Sequence, residues 1–541
     1  MGNPPFVGYS YQSKEQKADL ALVFHGMNGA GVLDLVAAWH IKAARYIQAN
    51  PSVPVAFVST NSLTQGEQVA ILWTELLKLN IKLHFAHRTF QWSNEGRGVA
   101  AVHCVIMGFC RDAIYRVSSS TDAIYAPSST DAINRVSTGC RLFDYGDNIK
   151  GEPIEIKATQ INPYLVDAPT VLIDKRRKPL NPDVPEMMNG GKPTEGGHLL
   201  LSQTEADDIQ KNDPIAAKYI RPFLMGDEFI NNIPRYCLWL KDSTASDRLH
   251  SPEIKKRMEQ VKAMRLASPK VATQKLAATP YLFGEIRISA SRYLAIPKVS
   301  SENRFYIPIG YLDAEVICGD KLFFVPNASL FHFGILTSHM HNAWMRTVAG
   351  RLKSDYSYSN TIVYNNFPFP EIAKLTNQGL NSNSRTNQGL NSNSGTSQGL
   401  NSNSGTSQGL NSSSRTNQGL DSNSGTSQGL NSSSGNSNLG LYAKIETAVQ
   451  QILNARTAEE ERCAKQGQKC SLATLYAAGN MPTDLLKAHN ALDKAVDAAY
   501  GYKGSKDDAA RVAFLFELYQ KLTAPLMETE QVKKPRKSKR D

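Results

Sequence analysis

The chain has 541 residues, of which 41% are hydrophobic, and a formal net charge of +11. This length suits about three domains with cores of their own, and the charge suits a polyanionic partner without establishing one. No apolar run predicts a membrane span, and no secretory signal opens the chain. The seven cysteines include no Cys-x-x-Cys pair, which argues against structural zinc and a disulfide framework. We therefore expect a cytoplasmic protein with free thiols.

An Asn-Pro-Pro-aromatic turn stands near the start, at Asn3, Pro4, Pro5 and Phe6. Proline fixes φ at about −65° and donates no N–H, so the turn is stiff and its carbonyls are free. The Asn3 side-chain carbonyl and the Pro4 backbone carbonyl are suited to accept both hydrogens of the exocyclic amino group of a nucleobase that has been flipped out of a duplex. The Phe6 ring is suited to stack on that base. These residues are the catalytic candidates for methylation of such an amino group. The alternative is a chance loop.

The elements after this turn predict one half of a doubly wound α/β sheet. Two predicted helices alternate with a buried parallel strand and a β-hairpin. The predicted order is a helix at Val32–Gln48, a strand at Pro54–Thr60, a helix at Gln68–Leu79, and hairpin strands at Ile81–His87 and Ala100–Phe109. This order is typical of the second half of a nucleotide-binding-like sheet.

Two internally repetitive tracts interrupt the chain. Asp-Ala-Ile recurs at Asp112, Asp122 and Asp131, which indicates a repeat insertion at 112–140. Gln-Gly-Leu recurs every ten residues from Gln378 to Gln428. Each of these units has one leucine and no aromatic residue, too little to offset the entropy of ordering the backbone. We therefore expect residues 375–440 to form a disordered linker.

The remaining regions predict a mixed second domain followed by helices. Residues 141–337 are rich in β-patterns, 338–374 continue from them, 441–525 have helical spacing, and 526–541 form a basic tail. We expect His489 to lie on the surface. The predicted helices of these regions are Ser251–Leu266, Phe331–Arg351, Thr483–Tyr500 and Asp508–Leu522.

Several stretches resemble one enzyme family. Asn3–Phe6, Ser59–Gln68 and Phe85–Trp92 are similar to the MmeI-like restriction–modification enzymes, which are adenine-specific DNA methyltransferases often fused to a nuclease. Ile220–Gly226 and Arg235–Leu240 resemble the target-recognition domain of that family. The resemblance implies an incomplete Rossmann-like α/β methyltransferase sheet at 1–111, an α+β recognition domain and a helical C-terminal region. It also implies S-adenosylmethionine as methyl donor and double-stranded DNA as partner.

In the family, the methyl-donor site lies before the Asn-Pro-Pro-aromatic turn, whereas only Met1 and Gly2 precede it here. We expect most of the cofactor site to be missing from this chain, as in a truncated or split methyltransferase. An upstream polypeptide would then supply the donor-binding half and a nuclease.

Phe90 and Trp92 occupy the segment where related enzymes place an aromatic ring against the flipped base. Stacking on an aromatic side chain contributes roughly 1–3 kcal/mol per base. The alternative is that both rings only pack the hairpin. The two interpretations stay open.

Base reading is expected in the second domain, from Arg292, Glu302 and Arg304. Glu302 and Arg304, two residues apart, would share one face of a strand. Glutamate accepts from the cytosine amino group and arginine donates to guanine, so this pair suits a G·C base pair, with a surface ion pair as the alternative. No metal site is expected, because His339 and His341 would point about 200° apart on a helix.

Two rival functions remain. The chain is either an adenine-specific methyltransferase that needs its missing half, or a DNA-binding specificity module without catalysis of its own. A third possibility is a decayed fragment with exposed sheet edges that invite aggregation.

Overall fold

The structure is a computed structural model that describes residues 1–92, 102–112, 139–146, 148–371 and 432–531. The Asp-Ala-Ile repeats after Asp112, the Gln-Gly-Leu repeats and the end of the basic tail lie outside these residues.

Five strands form the first sheet, in the order β1-β3-β2-β4-β5. β3 is antiparallel to both β1 and β2, so β1 and β2 run in the same direction. The strands are Val55–Thr60 (β1), Ile81–Trp92 (β2), Val102–Arg111 (β3), Cys140–Asp144 (β4) and Ile154–Ala158 (β5), and the helices that precede or connect the first of them are Lys14–Val23 (α1), Ala37–Ala49 (α2) and Glu67–Lys78 (α3).

The predicted hairpin and α3 are confirmed, while two other expectations for this region need correction. α2 begins at Ala37 because the preceding residues are tied to the N-terminal turn: Leu35 N–H donates to the Val7 carbonyl at 2.9 Å. β4 pairs in parallel with β2, and β5 pairs with β4. The predicted domain boundary at residue 141 therefore falls inside the first sheet.

Three smaller sheets build the middle of the chain, in the orders β12-β10-β14-β6, β11-β16-β15 and β13-β8-β9-β7. The predicted helix at 251–266 is confirmed as Pro252–Leu266, with Ser251 as its N-cap. The strands are Met188–Asn189 (β6), Leu200–Leu201 (β7), Ile220–Leu224 (β8), Tyr236–Leu238 (β9), Tyr293–Pro297 (β10), Val299–Ser300 (β11), Gly310–Leu312 (β12), Ile317–Cys318 (β13), Leu322–Pro326 (β14), Gly350–Leu352 (β15) and Asp355–Ser357 (β16). The helices are Gln203–Asn212 (α4), Pro214–Ala217 (α5), Gly226–Asn231 (α6), Ala245–His250 (α7), Pro252–Leu266 (α8) and Val271–Lys275 (α9).

The predicted single helix at 331–351 is wrong. It is two helices, because the Ser338 hydroxyl accepts from the His341 N–H and caps a new helix start. These and the C-terminal helices are Leu330–Thr337 (α10), His339–Val348 (α11), Ser432–Lys465 (α12), Leu472–Leu475 (α13), Thr483–Tyr500 (α14) and Asp508–Gln531 (α15).

The C-terminal helices pack directly onto α10 and α11. Gly334 on α10 makes this approach possible, since a Cβ there would lie 2.6 Å from Ile445 Cγ2. One hydrophobic core runs from the first sheet through α10 and α11 into α12, α14 and α15. His489 is fully buried in this region, so its predicted surface position is wrong. Its ring stacks on Tyr306 at 4.1 Å and its Nε2 lies 2.8 Å from the Tyr476 hydroxyl.

Candidate active site

The Asn3–Phe6 turn leaves the first sheet beside β1. Gly2 N–H donates to the Ala56 carbonyl and Val58 N–H donates to the Gly2 carbonyl, both at 3.0 Å, in a parallel bridge. The chain after Gly2 therefore heads toward the edge where β1 and β2 end, which we call the carboxyl edge. Ligands of open α/β sheets bind outside this edge. Asn3 and Pro5 are exposed there, whereas Pro4 is buried and Phe6 is half-buried against the core.

The Asp34 side chain anchors the segment that follows the turn. Its Oδ1 accepts from the Tyr9 N–H at 3.0 Å, and its Oδ2 accepts from the Ser62 hydroxyl at 2.6 Å. The Asp34 N–H itself donates to Gln68 Oε1 at 3.0 Å. Two residues of the Ser59–Gln68 stretch thus converge on one residue that anchors the N-terminal segment. Sequence reasoning missed Asp34, since the only signal is one acidic residue within an apolar run.

Phe90 lies near the same carboxyl edge, one strand away from Thr60 across β3. The register pairs Thr60 with Cys104 and Cys104 with Phe90. The Phe90 ring is only 9% exposed and stacks on Tyr145 at 5.2 Å. The Tyr145 hydroxyl is 2.9 Å from His87 Nδ1. Trp92 is the last residue of β2, and its side chain lies outside the described part of the structure.

Glu302 and Arg304 lie in a turn and not on a strand. β11 ends at Ser300, and Arg304 N–H donates to the Ser301 carbonyl at 3.1 Å. The strand-face argument for this pair is therefore wrong, although both residues are partly exposed. Burial lowers the pKa of Arg304, which the negative charge of Asp355 partly opposes.

Glu302 contacts two cationic or basic groups, whereas Arg292 belongs to a different surface. Glu302 Oε2 is 3.2 Å from His103 Nε2 and 3.3 Å from Arg351 Nη1. Arg292 lies over the Tyr311 ring at 4.4 Å, with its Nε 3.9 Å from Asp313 Oδ1. These contacts do not bring Arg292 to Glu302. Sequence reasoning missed the part of His103, which is distant from Glu302 along the chain.

The carboxyl edge also contacts the segment after the second domain. Gly66 N–H donates to the Val348 carbonyl at 3.0 Å, and Gln65 Nε2 donates to the Arg346 carbonyl at 3.3 Å. The backbones are so close here that a Cβ on Gly66 would lie 2.9 Å from the Gly350 Cα. A close backbone contact thus joins the Ser59–Gln68 stretch of the first domain to the segment around Gly350.

Among the described residues, no group of three His, Cys, Asp or Glu side chains is placed to hold a metal ion. The two histidines considered for metal binding have other partners: His339 Nε2 is 2.7 Å from Asp508 Oδ1, and His341 Nε2 is 2.9 Å from the Tyr358 hydroxyl. No described helix is long and apolar enough to cross a membrane.

Three family models match the chain in order. The DNA-methyltransferase domain of MmeI matches residues 1–125, the MmeI target recognition domain matches 167–371, and the MmeI C-terminal domain matches 441–527.

Two similar proteins extend this match over almost the whole chain. DNA methyltransferase A of Bacillus subtilis (strain 168) is 32% identical over 522 residues, which cover 96% of this chain and 47% of that relative. A solved structure of the Type IIL restriction-modification enzyme MmeI in complex with DNA is 41% identical, with a TM-score of 0.72 and coverage of 97% of this chain and 57% of that chain. This chain spans about half the length of both. Over its methyltransferase, target recognition and C-terminal domains, the chain belongs to the MmeI family.

Proposed function

We propose that the chain forms the base-binding and DNA-recognition part of a DNA methyltransferase that is adenine-specific and uses S-adenosylmethionine. The observation that carries this proposal is the position of the Asn3–Phe6 turn. It leaves the sheet at the carboxyl edge with Asn3 exposed and Pro4 buried, and Asp34 ties the residues that follow it to the Ser59–Gln68 stretch, which contacts the recognition region.

The turn has the groups needed to prepare an adenine amino nitrogen. The Asn3 side-chain carbonyl accepts one amino hydrogen and the Pro4 carbonyl accepts the other, which draws the nitrogen lone pair out of conjugation with the ring. The nitrogen would then bond to the methyl carbon as the bond between that carbon and the donor sulfur breaks, so that the donor leaves as a neutral thioether. The methylated nitrogen would afterwards lose one proton through these acceptors to water. Positioning and hydrogen bonding in a closed pocket carry this chemistry, so no strong base is required.

S-adenosylmethionine, when bound, supplies a methyl group on a positively charged sulfur. The described residues provide only part of a site for this methyl donor. Asn3 is exposed beside the carboxyl edge, but the nearby polar groups of Asp34 and Ser62 are hydrogen-bonded to each other and not free to bind the donor. We propose that the remaining donor-binding residues belong to a polypeptide segment outside these 541 residues. The resemblance to the family suggests that this segment also bears a nuclease.

The flipped adenine would stack on Phe6 and on an aromatic ring of the β2 end, Phe90 or Trp92. Phe90 is close to the edge but is covered by Tyr145, so it needs a small rearrangement to expose its face. Extrusion of the base would be compensated in part by this stacking.

Recognition of the DNA site is proposed for Glu302 and Arg304, with Arg292 on a second contact surface. Glu302 is suited to accept from a cytosine amino group and Arg304 to donate to guanine. The formal charge of +11 supports binding to duplex DNA through phosphate contacts. We propose that the protein acts on DNA in the cytoplasm.

Product analysis tests the proposal. The chain is co-produced with the part of the Bacillus subtilis relative that it does not match, and the complex is incubated with duplex DNA and S-adenosylmethionine. Nucleosides from the digested DNA are then separated and weighed. N6-methyladenine is expected; a complex that forms and binds DNA but yields only 5-methylcytosine, or no methylated base, contradicts the proposal.

The second candidate function is a DNA-binding specificity module without catalysis. A separate hydrophobic core within residues 199–317 favours it, because this part of the recognition region packs around buried residues that do not belong to the core of the first sheet. Selective binding of one duplex sequence by a complex that never methylates DNA would support this function instead.

A further inference from the structure

The two oxygens of the Glu302 carboxylate have different surroundings. His103 Nε2 and Arg351 Nη1 both approach Oε2, at 3.2 and 3.3 Å. Within the described part of the chain, Oε1 accepts no hydrogen bond, and the Glu302 side chain is 25% exposed. Arg351 therefore donates to one oxygen from inside the protein, with the His103 ring in contact with it, while the other oxygen remains available to a ligand.

The two groups beside Oε2 are themselves buried, and Arg351 is fixed by further contacts. The Arg351 side chain is 10% exposed, and its guanidinium lies 4.1 Å above the Tyr356 ring. Its Nη1 also donates to the Ser354 carbonyl at 2.7 Å, and its Nε donates to Gln65 Oε1 at 3.2 Å. His103 is 9% exposed. A carboxylate held by such neighbours has lost much of its rotational freedom before a partner arrives.

These contacts also join two parts of the molecule. His103 is on β3, opposite Gln91 near the end of β2, and Gln65 belongs to the Ser59–Gln68 stretch of the methyltransferase domain. Arg351 lies on β15, just after α11. The position of Glu302 is thus set directly against the carboxyl edge, where the target base is proposed to bind.

We infer that Arg351 and His103 are positioning residues for base reading, which orient Glu302 so that Oε1 faces the amino group of a cytosine. The inference rests on the proposed base-reading role of Glu302. It assigns specificity to two residues that do not contact DNA, through a side chain that does. Preorganised recognition groups discriminate better because the correct base pair does not have to order them.

Binding selectivity of the full chain tests the inference. A duplex selected by the chain from a random pool serves as probe, and dissociation constants are measured by fluorescence anisotropy for all single base-pair changes in it. Glu302→Ala should lose the preference at one position, which identifies the base pair that Glu302 reads. Arg351→Met, which keeps much of the side-chain length but removes the donors, should reduce the preference at the same position at least about fivefold and leave other positions unchanged.

Two further variants keep the test decisive. His103→Gln should reduce the same preference less than Arg351→Met, and Arg351→Lys should restore part of it. If Arg351→Met and His103→Gln keep the wild-type preference while Glu302→Ala loses it, the inference is overturned and the proposed function stands. An equal loss of affinity at all positions also overturns it, since that indicates a purely structural role. If Glu302→Ala changes no preference, the base-reading role of Glu302 fails and the inference fails with it.

Discussion

Gly66 is the position where one added methyl group should most clearly disturb the contact between the methyltransferase and recognition domains. Its backbone has φ +74° and ψ −155°, a conformation that is essentially restricted to glycine. A Cβ would also lie 2.9 Å from the Gly350 Cα and 3.2 Å from the Gly350 nitrogen. Both of these neighbours are backbone atoms, so neither can move aside by a side-chain rotation.

The expected cost of Gly66→Ala has two parts. The strained backbone costs about 1–3 kcal/mol, and overpacking against a neighbouring backbone costs a further ~1–3 kcal/mol. Relaxation of the contact lowers the sum, so we expect a decrease of about 2–4 kcal/mol in the free energy of unfolding. For domains of this size, 1 kcal/mol corresponds to roughly 2–4 °C, and the melting temperature measured by calorimetry should therefore fall by at least roughly 4 °C.

Substitutions at two other glycines serve as controls that separate the cost of backbone strain from the cost of the close contact. Gly26 has φ +80° but nothing within 4 Å of the place where an alanine methyl group would stand, so Gly26→Ala reports on backbone strain alone. Gly31 has neither a positive φ nor a neighbour within 4 Å, and Gly31→Ala should leave the melting temperature unchanged. If Gly66→Ala lowers the melting temperature no more than Gly26→Ala does, the close backbone contact adds nothing to the loss of stability, and the prediction is contradicted.

Two predictions concern buried polar groups. Burial lowers the pKa of His341 to about 3, so below pH ~6.5 this residue binds a proton in the unfolded chain but not in the folded one, and its contribution alone should lower the free energy of unfolding by about 1.4 kcal/mol per pH unit. His341→Gln should flatten this slope in denaturant titrations from pH ~7.5 to ~5.5, whereas His25→Gln, at an exposed residue, should not. Equal slopes for the two variants would refute the contribution of His341. The Tyr306 hydroxyl donates to Asp493 Oδ2 at 2.6 Å between the recognition region and α14, so Tyr306→Phe should reduce the free energy of unfolding by about 1–3 kcal/mol. Tyr11→Phe, on a residue that is 86% exposed, is its control, and indistinguishable calorimetric transitions would contradict the proposed contribution.

Local signals predict some elements accurately. The helix Thr483–Tyr500 is observed as predicted, because Pro482 precedes it and Gly501 ends it at φ +63°. The hairpin strands are likewise recognisable from their β-rich patterns and the turn residues between them. Signals of this kind act within a few residues, so no knowledge of tertiary contacts is needed to read them.

Features that depend on distant contacts escape sequence analysis. An apolar pattern continues through Ser338, but the hydroxyl of that residue starts a new helix. His489 resembles a surface residue of an amphipathic helix until Tyr306 and Tyr476 cover it. The same holds for the site: the motif alone points to Asn3, whereas the Asp34 anchor depends on contacts with residues 25 and 28 positions away.

The most direct test of the proposed mechanism is the single-turnover rate of methylation by the reconstituted complex with Asn3→Ala. Removing one of the two acceptors of the amino hydrogens should slow methyl transfer by about 10²–10³-fold, as for other preorganised hydrogen bonds in active sites. The affinity for duplex DNA should remain unchanged, because Asn3 is not part of the proposed reading surface. A wild-type rate in a complex that binds DNA normally would contradict the role of this turn in catalysis.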